Sequence, residues 1–315
     1  MARSASATGA HALVFGASGL AGWGVVDQLL SNYPPLGAFS HVTAIVNRPF
    51  SVADSYWPDP SPSRPKLQLE QEPDVDIKVN RDMIERAIGA LNILSLSLKF
   101  VVLPSGTRGY GIHIPGGVFK APFKESMGRL PEPIASNVFC FAHQDALEEM
   151  SKGRDWTWCE VRPDAIIGFV PNGSTFNLPA HWATYLSLYA LVEGKGAEVP
   201  FPGTVTAYNS LFNDAFADII AKFSIWAFLH PEECGGGELF NIADRAPPSR
   251  MSERWPAIAK YFGLEGVGPD VDGKDALKPG EYIEKHEQAL EAWGGKDSRI
   301  FKAEYLDEYG CLYIR

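Results

Sequence analysis

The hydrophobic pattern changes period near the start of the chain. Ala12-Leu13-Val14-Phe15 is an unbroken apolar run, which predicts a strand buried on both faces, and Leu20, Val25, Val26, Leu29 and Leu30 then recur at helical spacing. Strand, bend and helix follow one another within twenty residues. His41–Val46 predicts a second strand, Lys66–Leu69 a short third one and Lys99–Ser105 another buried strand. Lys78–Asn92 reads as an amphipathic helix with Met83, Ile84, Ala87, Ile88 and Leu91 on one stripe. Farther on, a helix is expected from about Ser136 to Lys152 and a strand begins at Trp156 and runs to Pro163. Helices are expected over Ala180–Val192 and Phe212–Leu229, a late strand at Leu239–Ile242, and helices beyond it. Such alternation predicts a doubly wound, Rossmann-type α/β sheet. Residues 1–168 would form the nucleotide-binding half and 169–315 a smaller, mainly helical substrate-binding part, some of whose segments return to the first half.

The bend carries the first chemistry. Gly16, Gly19 and Gly22 are spaced three apart between the predicted strand and helix. Gly16 suits a backbone conformation that other residues avoid, Gly19 lets main chain approach a pyrophosphate, and Gly22 lets the helix press on the strand. The free amides and positive dipole end of that helix would then face an anion. The second strand ends in Asn47-Arg48-Pro49, where an acidic residue would bond the ribose hydroxyls of NAD. A guanidinium there can clamp a 2′-phosphate and stack on adenine, which favours NADP(H); the alternative is a surface arginine opening a loop.

Composition narrows the setting. With 315 residues, 45% hydrophobic and 21% charged, the chain can bury a large core. A net charge of −10 argues against nucleic-acid and membrane-surface partners, and no apolar run approaches the roughly 20 residues of a membrane helix. Cys140, Cys159, Cys234 and Cys311 show no paired or metal-type spacing, which suits a reducing, cytoplasmic setting. The expected oligomeric state is monomer or homodimer. Met1–Gly9 reads as a disordered start rather than a signal, and Ser51–Pro65, rich in proline and serine, as an exposed loop.

Other constellations are weaker. The seven histidines show no metal-ligand spacing, so no metal site is expected, and no Gly-x-Ser-x-Gly elbow is present. His143 reads either as a packed histidine or as a catalyst, and Tyr110 either as a pocket donor or as a buried, bonded tyrosine. Phe176, His181, Trp182 and Tyr185 are either substrate walls or core. Cys140 has no base motif beside it.

Five ordered motifs carry a family likeness: Gly-Ala-Ser-Gly-Leu-Ala-Gly-Trp (16–23), Asn-Arg-Pro (47–49), Gly-Thr-Arg-Gly-Tyr-Gly (106–111), Trp-Cys-Glu-Val-Arg-Pro-Asp (158–164) and Pro-Phe-Pro-Gly-Thr (200–204). Over nearly its full length the chain resembles the microbial branch of the progesterone 5β-reductase and iridoid synthase-like family, atypical extended short-chain dehydrogenases. The resemblance implies an NADPH-dependent reductase that delivers hydride to the β-carbon of an enone or enal in a small hydrophobic, secondary-metabolite-like substrate. It implies a cofactor set of Gly16, Ser18, Gly19, Leu20, Ala21, Asn47, Arg48, Pro49, Pro104, Ser105, Pro163 and Ile166. For the catalytic zone it points to Arg108, Phe141, Tyr110 and His143.

The chain departs from the family pattern in two places. Arg108 stands where the family has lysine, and in Asn137-Val138-Phe139-Cys140-Phe141-Ala142-His143-Gln144-Asp145 the positions of two tyrosines hold Cys140 and Phe141. Phe141 offers no proton donor to a developing enolate, and one lost oxyanion donor typically costs about 10²–10³ in rate. Arginine keeps its positive charge, so Arg108 can stabilise an enolate and cannot protonate one. Between Leu69 and Lys78 the family carries a further helix and inner strand, whereas this chain has only about eight residues, too few for a crossover unit of roughly 30. The gap removes positions that in the family touch adenine and the diphosphate. It is either genuine or a gene-model or splicing artefact, and it either brings Val101–Ser105 beside the first strand or leaves the crevice open. Three readings follow: a reductase of activated alkenes, a redox-neutral cyclase, isomerase or dehydratase, and a non-catalytic NADPH-binding protein.

Overall fold

The computed structural model describes residues 9–31, 33–34, 37–47, 50–71, 80–95, 97–114, 116–171, 174, 177–270 and 278–292. In chain order the elements are β1 (Ala10–Phe15), α1 (Leu20–Leu30), β2 (Phe39–Val46), β3 (Lys66–Gln71), α2 (Asn80–Leu94), β4 (Phe100–Pro104), α3 (Phe139–Ser151) and β5 (Thr157–Pro163). They continue with β6 (Ala165–Ile167), α4 (Leu178–Glu193), β7 (Glu198–Pro200), α5 (Val205–Asn209), β8 (Asp214–Phe216), α6 (Ala217–Leu229) and α7 (Pro231–Cys234). The last are β9 (Glu238–Ile242), α8 (Met251–Tyr261), β10 (Glu265–Val267), α9 (Pro279–Lys285) and α10 (Glu287–Ala292). Two compact units divide the chain, one of residues 1–164 and 215–243, the other of 165–214 and 244–315.

The first unit is a Rossmann-type assembly of parallel strands and helices whose sheet is interrupted. β2 lies between β1 and β3, with Val14 opposite Ala44 and Ala44 opposite Leu69; β5 lies between β4 and β9, with Glu160 between Leu103 and Leu239. Among the described residues no ladder joins β1 to β4. The shortened segment after β3 therefore does not bring β4 beside β1. Helix α6 packs on α1, where a Cβ on Gly24 would lie 3.2 Å from the Ala217 carbonyl oxygen, and it also packs against β4 and β5. Beyond the break, Ile88, Leu103, Leu147, Trp156 and Trp158 form one core between α2, α3, β4 and β5.

The interruption corrects the expectation that β1 is buried on both faces. Leu13 is 40% and Phe15 45% exposed, and among the described residues β1 is paired along one edge alone, with β2. The loop expected to be exposed over Ser51–Pro65 is also corrected: Ser55 and Trp57 are buried in it. Helix α6 starts at Ala217 rather than Phe212, because Phe212 exchanges backbone hydrogen bonds with Ser249 instead.

The second unit is mainly helical, with β7 and β10 as a parallel pair. Its core sets Trp255, fully buried and donating from its indole to the Val199 carbonyl at 3.0 Å, among Leu186, Leu188, Phe201, Met251 and Ile283. None of the described helices is long and apolar enough to cross a membrane.

Candidate functional site

The turn from β1 into α1 is a close-fitted cradle. Gly16 has φ of +68° and Gly19 donates its N–H to the Gly16 carbonyl at 2.9 Å. A Cβ at Gly22 would lie 2.3 Å from that same carbonyl oxygen, so only glycine lets α1 press against the bend. Ala17 N–H bonds the Ile45 carbonyl at 3.0 Å and ties the cradle to β2. Gly19 provides no side-chain cap, and the first turn of α1 carries no acidic residue. The N–H groups of Leu20 and Ala21 thus lack intrahelical partners, an arrangement that accepts an anion. Ser18 and Leu20 are buried beside them and Ala21 is half-buried. This donor set fits the pyrophosphate of a dinucleotide. Asn47 is exposed at the end of β2, while Arg48 and Pro49 lie outside the described residues.

The end of β4 bears a second polar assembly. Ser105 Oγ donates to Glu160 Oε1, Gln144 Nε2 donates to Glu160 Oε2, and Arg162 donates to Oε1 from Nε at 3.1 Å and from Nη2 at 2.7 Å. Glu160 and Arg162 are 1% and 3% exposed, a desolvated pair whose charges are matched in place. The Arg162 guanidinium lies 4.5 Å from the centre of the Tyr110 ring and fills the space a Cβ at Gly109 would need, 2.5 Å from Cζ. Tyr110 is buried, its hydroxyl donates to Asn241 Oδ1 at 2.8 Å, and its ring stacks on Phe123 at 4.9 Å. Burial pushes its phenol above the ordinary tyrosine range. Together these contacts fix the one-turn helix Thr107–Tyr110, from which Arg108 projects exposed. Pro104 is exposed, Ser105 half-buried, and Pro163 buried at the end of β5.

The start of α3 is apolar where the sequence places the catalytic zone. Phe141 is buried among Leu130, Ala135, Val138 and Cys140, with the Arg129 guanidinium 4.7 Å above its ring. Arg129 is in turn held by both oxygens of Asp145, at 2.5 and 2.9 Å. His143 is buried with its ring edge-on to Phe139 at 5.4 Å. Burial pushes the Cys140 thiol up to about 11, which removes its nucleophilic form at neutral pH.

The glycine cradle, the Ser105–Tyr110 loop, Pro163, Phe141 and His143 all belong to the first unit, where Glu160 joins Ser105 of the loop to Gln144 of α3, whereas Ile166 belongs to the second unit and is half-buried there. Tyr185 belongs to the core of that unit, with Trp182 packed against it; Trp182 meets Trp255 edge-on at 5.9 Å, and His181 is buried beside them. Phe176 lies outside the described residues. Among the described residues no cluster of His, Cys, Asp or Glu could hold a metal ion. Sequence reasoning did not find the Glu160 network. Its signal is two opposite charges two residues apart on an otherwise buried strand, which places both on one face.

Comparison with known proteins places this geometry. The profile described as a PRISE-like Rossmann-fold domain matches residues 12–69 and 65–301, two segments that meet where β3 is followed by too few residues for another strand and helix. The short chain dehydrogenase ausT of Aspergillus calidoustus is 32% identical, with 83% of this chain and 75% of that protein aligned. The 3-oxo-Delta(4,5)-steroid 5-beta-reductase of Arabidopsis thaliana is 27% identical, with 76% of this chain and 65% of that protein aligned. Among solved structures, the UDP-glucuronic acid 4-epimerase from Bacillus cereus, in complex with NAD, shares the fold with a TM-score of 0.54 at 12% identity, covering 96% of this chain and 100% of that one. The chain belongs to the PRISE-like Rossmann-fold domain family and has short-chain dehydrogenases among its relatives.

Proposed function

We propose that this protein binds NADP(H) and reduces an electron-poor carbon–carbon double bond conjugated to a carbonyl, in a small hydrophobic molecule. The observation that carries the reading is the cradle in which Gly22 meets the Gly16 carbonyl and two amides of α1 stay free for phosphate. NADPH, when bound, supplies a hydride. The chain's own residues do the rest: the first turn of α1 holds the diphosphate, and the Ser105–Tyr110 loop, locked by Arg162 and Glu160, presents Arg108.

Hydride arriving at the β-carbon leaves an enolate. Arg108 offers that oxygen a positive charge and hydrogen-bond donors without giving up a proton, so the final proton comes from water. Phe141 is buried and has no donor, and the Tyr110 hydroxyl donates to Asn241, so the substrate must spread the charge through its own conjugation. The test follows NADPH absorbance with a panel of enals and enones of graded electron deficiency. Turnover confined to the most activated members supports the reading, and consumption of substrate without loss of NADPH replaces it with a redox-neutral reaction.

A further inference from the structure

We infer that β3 is a self-complementary edge on which a second copy of this chain docks, joining the two sheets into one. β3 is the outermost strand of its sheet: among the described residues it is paired with β2 alone, and its other margin carries backbone N–H and C=O groups that no ladder uses. Lys66, Gln68, Glu70 and Gln71 are exposed there, and Leu67 and Leu69 are only half-buried. An open edge of this kind is a template for a further strand.

The order of the side chains selects the occupant. Lys66-Leu67-Gln68-Leu69-Glu70 is a mirrored series about Gln68, with a leucine on each side of it and opposite charges at the two ends. A two-fold axis at Gln68 lays the strand antiparallel to its own copy, with Lys66 opposite Glu70, Leu67 opposite Leu69 and Gln68 opposite Gln68. Two Lys66–Glu70 pairs then form across the seam on one face, where opposite charges directly across from each other stabilise a sheet. On the other face Leu67 and Leu69 lie in register with Val42 and Ala44 of β2, both fully buried, so the leucines of the second copy extend that apolar side and cover its margin. A slip of two residues sets Gln68 against Lys66 or against Glu70 and breaks both ion pairs, and a slip of one brings the leucines of one copy to the charged face of the other. Charge and apolar pattern thus specify the same register. This surface stands apart from the coenzyme reading and does not depend on it.

The test is sedimentation equilibrium of the full chain, from micromolar to near-millimolar concentration, together with Lys66→Glu, Glu70→Lys and the double variant that carries both. The unaltered chain should dimerise. Each single variant sets like charges opposite each other twice across the seam and should weaken the dimer about tenfold or more, while the double variant, whose pairs are only inverted, should regain it. An equimolar mixture of the two single variants should also pair, because the acidic edge of one meets the basic edge of the other, and this recovery shows that both remain folded. An unaltered chain that stays monomeric over the whole range, a dimer indifferent to Lys66→Glu, or a double variant as weak as the singles overturns the inference.

Discussion

Arg162 faces Tyr110 with its guanidinium 4.5 Å from the ring centre while the edge of the same group grips Glu160 at 2.7 Å. One buried cation thus joins the middle of β5 to the loop that carries Arg108. Removing it leaves the Glu160 carboxylate desolvated and unpaired. Arg162→Met is expected to cost about 3–5 kcal/mol in a urea melt, whereas replacing Arg162 and Glu160 together by apolar residues of similar volume should cost less than Arg162→Met alone. A double variant as unstable as the sum of the singles contradicts this account.

The glycine cradle predicts unequal effects of the same substitution. At Gly16 a Cβ meets nothing within 4 Å, so Gly16→Ala suffers only the left-handed backbone penalty of about 1–2 kcal/mol. At Gly22 the Cβ would lie 2.3 Å from the Gly16 carbonyl oxygen, so Gly22→Ala must shift the helix or the bend. Thermal melts with and without NADPH check this: Gly16→Ala should retain most of the ligand-induced stabilisation and Gly22→Ala should lose it.

Arg108 is exposed, so its role is separable from folding. Arg108→Gln is expected to leave the melting temperature within about 1 °C of the unaltered chain, since surface substitutions stay near ±0.5 kcal/mol. On an activated enone it should lower kcat/KM by about 10²–10³, the usual cost of one oxyanion donor. Steady-state kinetics on the same preparation check both halves.

Asp27 on α1 gives a pH prediction. Burial first, and the nearby Asp218 carboxylate second, hold its pKa above the ordinary aspartate value of about 3.9. The folded state therefore binds the proton more tightly than the unfolded chain, and stability falls as pH rises from the unfolded value through the raised folded one. Asp27→Asn should stabilise the protein at neutral pH and lose that advantage in acid, as measured by denaturant melts across the range.

Much of this molecule is legible in the residues because the signals are local. The change of period at Gly16 places β1 and α1, and the short spacing after Leu69 announces a missing strand and helix. What stays hidden depends on partners distant in sequence. Leu13 and Phe15 look like core until β1 is seen to be paired, among the described residues, along one edge alone, and Trp57 looks like loop until its indole is seen on the carbonyl of Trp23. The sequence predicts a helix from Phe212 because the stretch to Leu229 is apolar nearly all round, yet a backbone pairing with Ser249 claims Phe212 first. For the site, the cradle was readable as a motif, but the burial of Phe141 beneath Arg129 and the commitment of Tyr110 to Asn241 are facts of packing.

The most direct measurement of the central claim is isothermal titration of the full chain with NADPH. The account predicts saturable heat at one site per chain, lost in Gly22→Ala; an unaltered, folded protein that gives no heat with NADPH contradicts it.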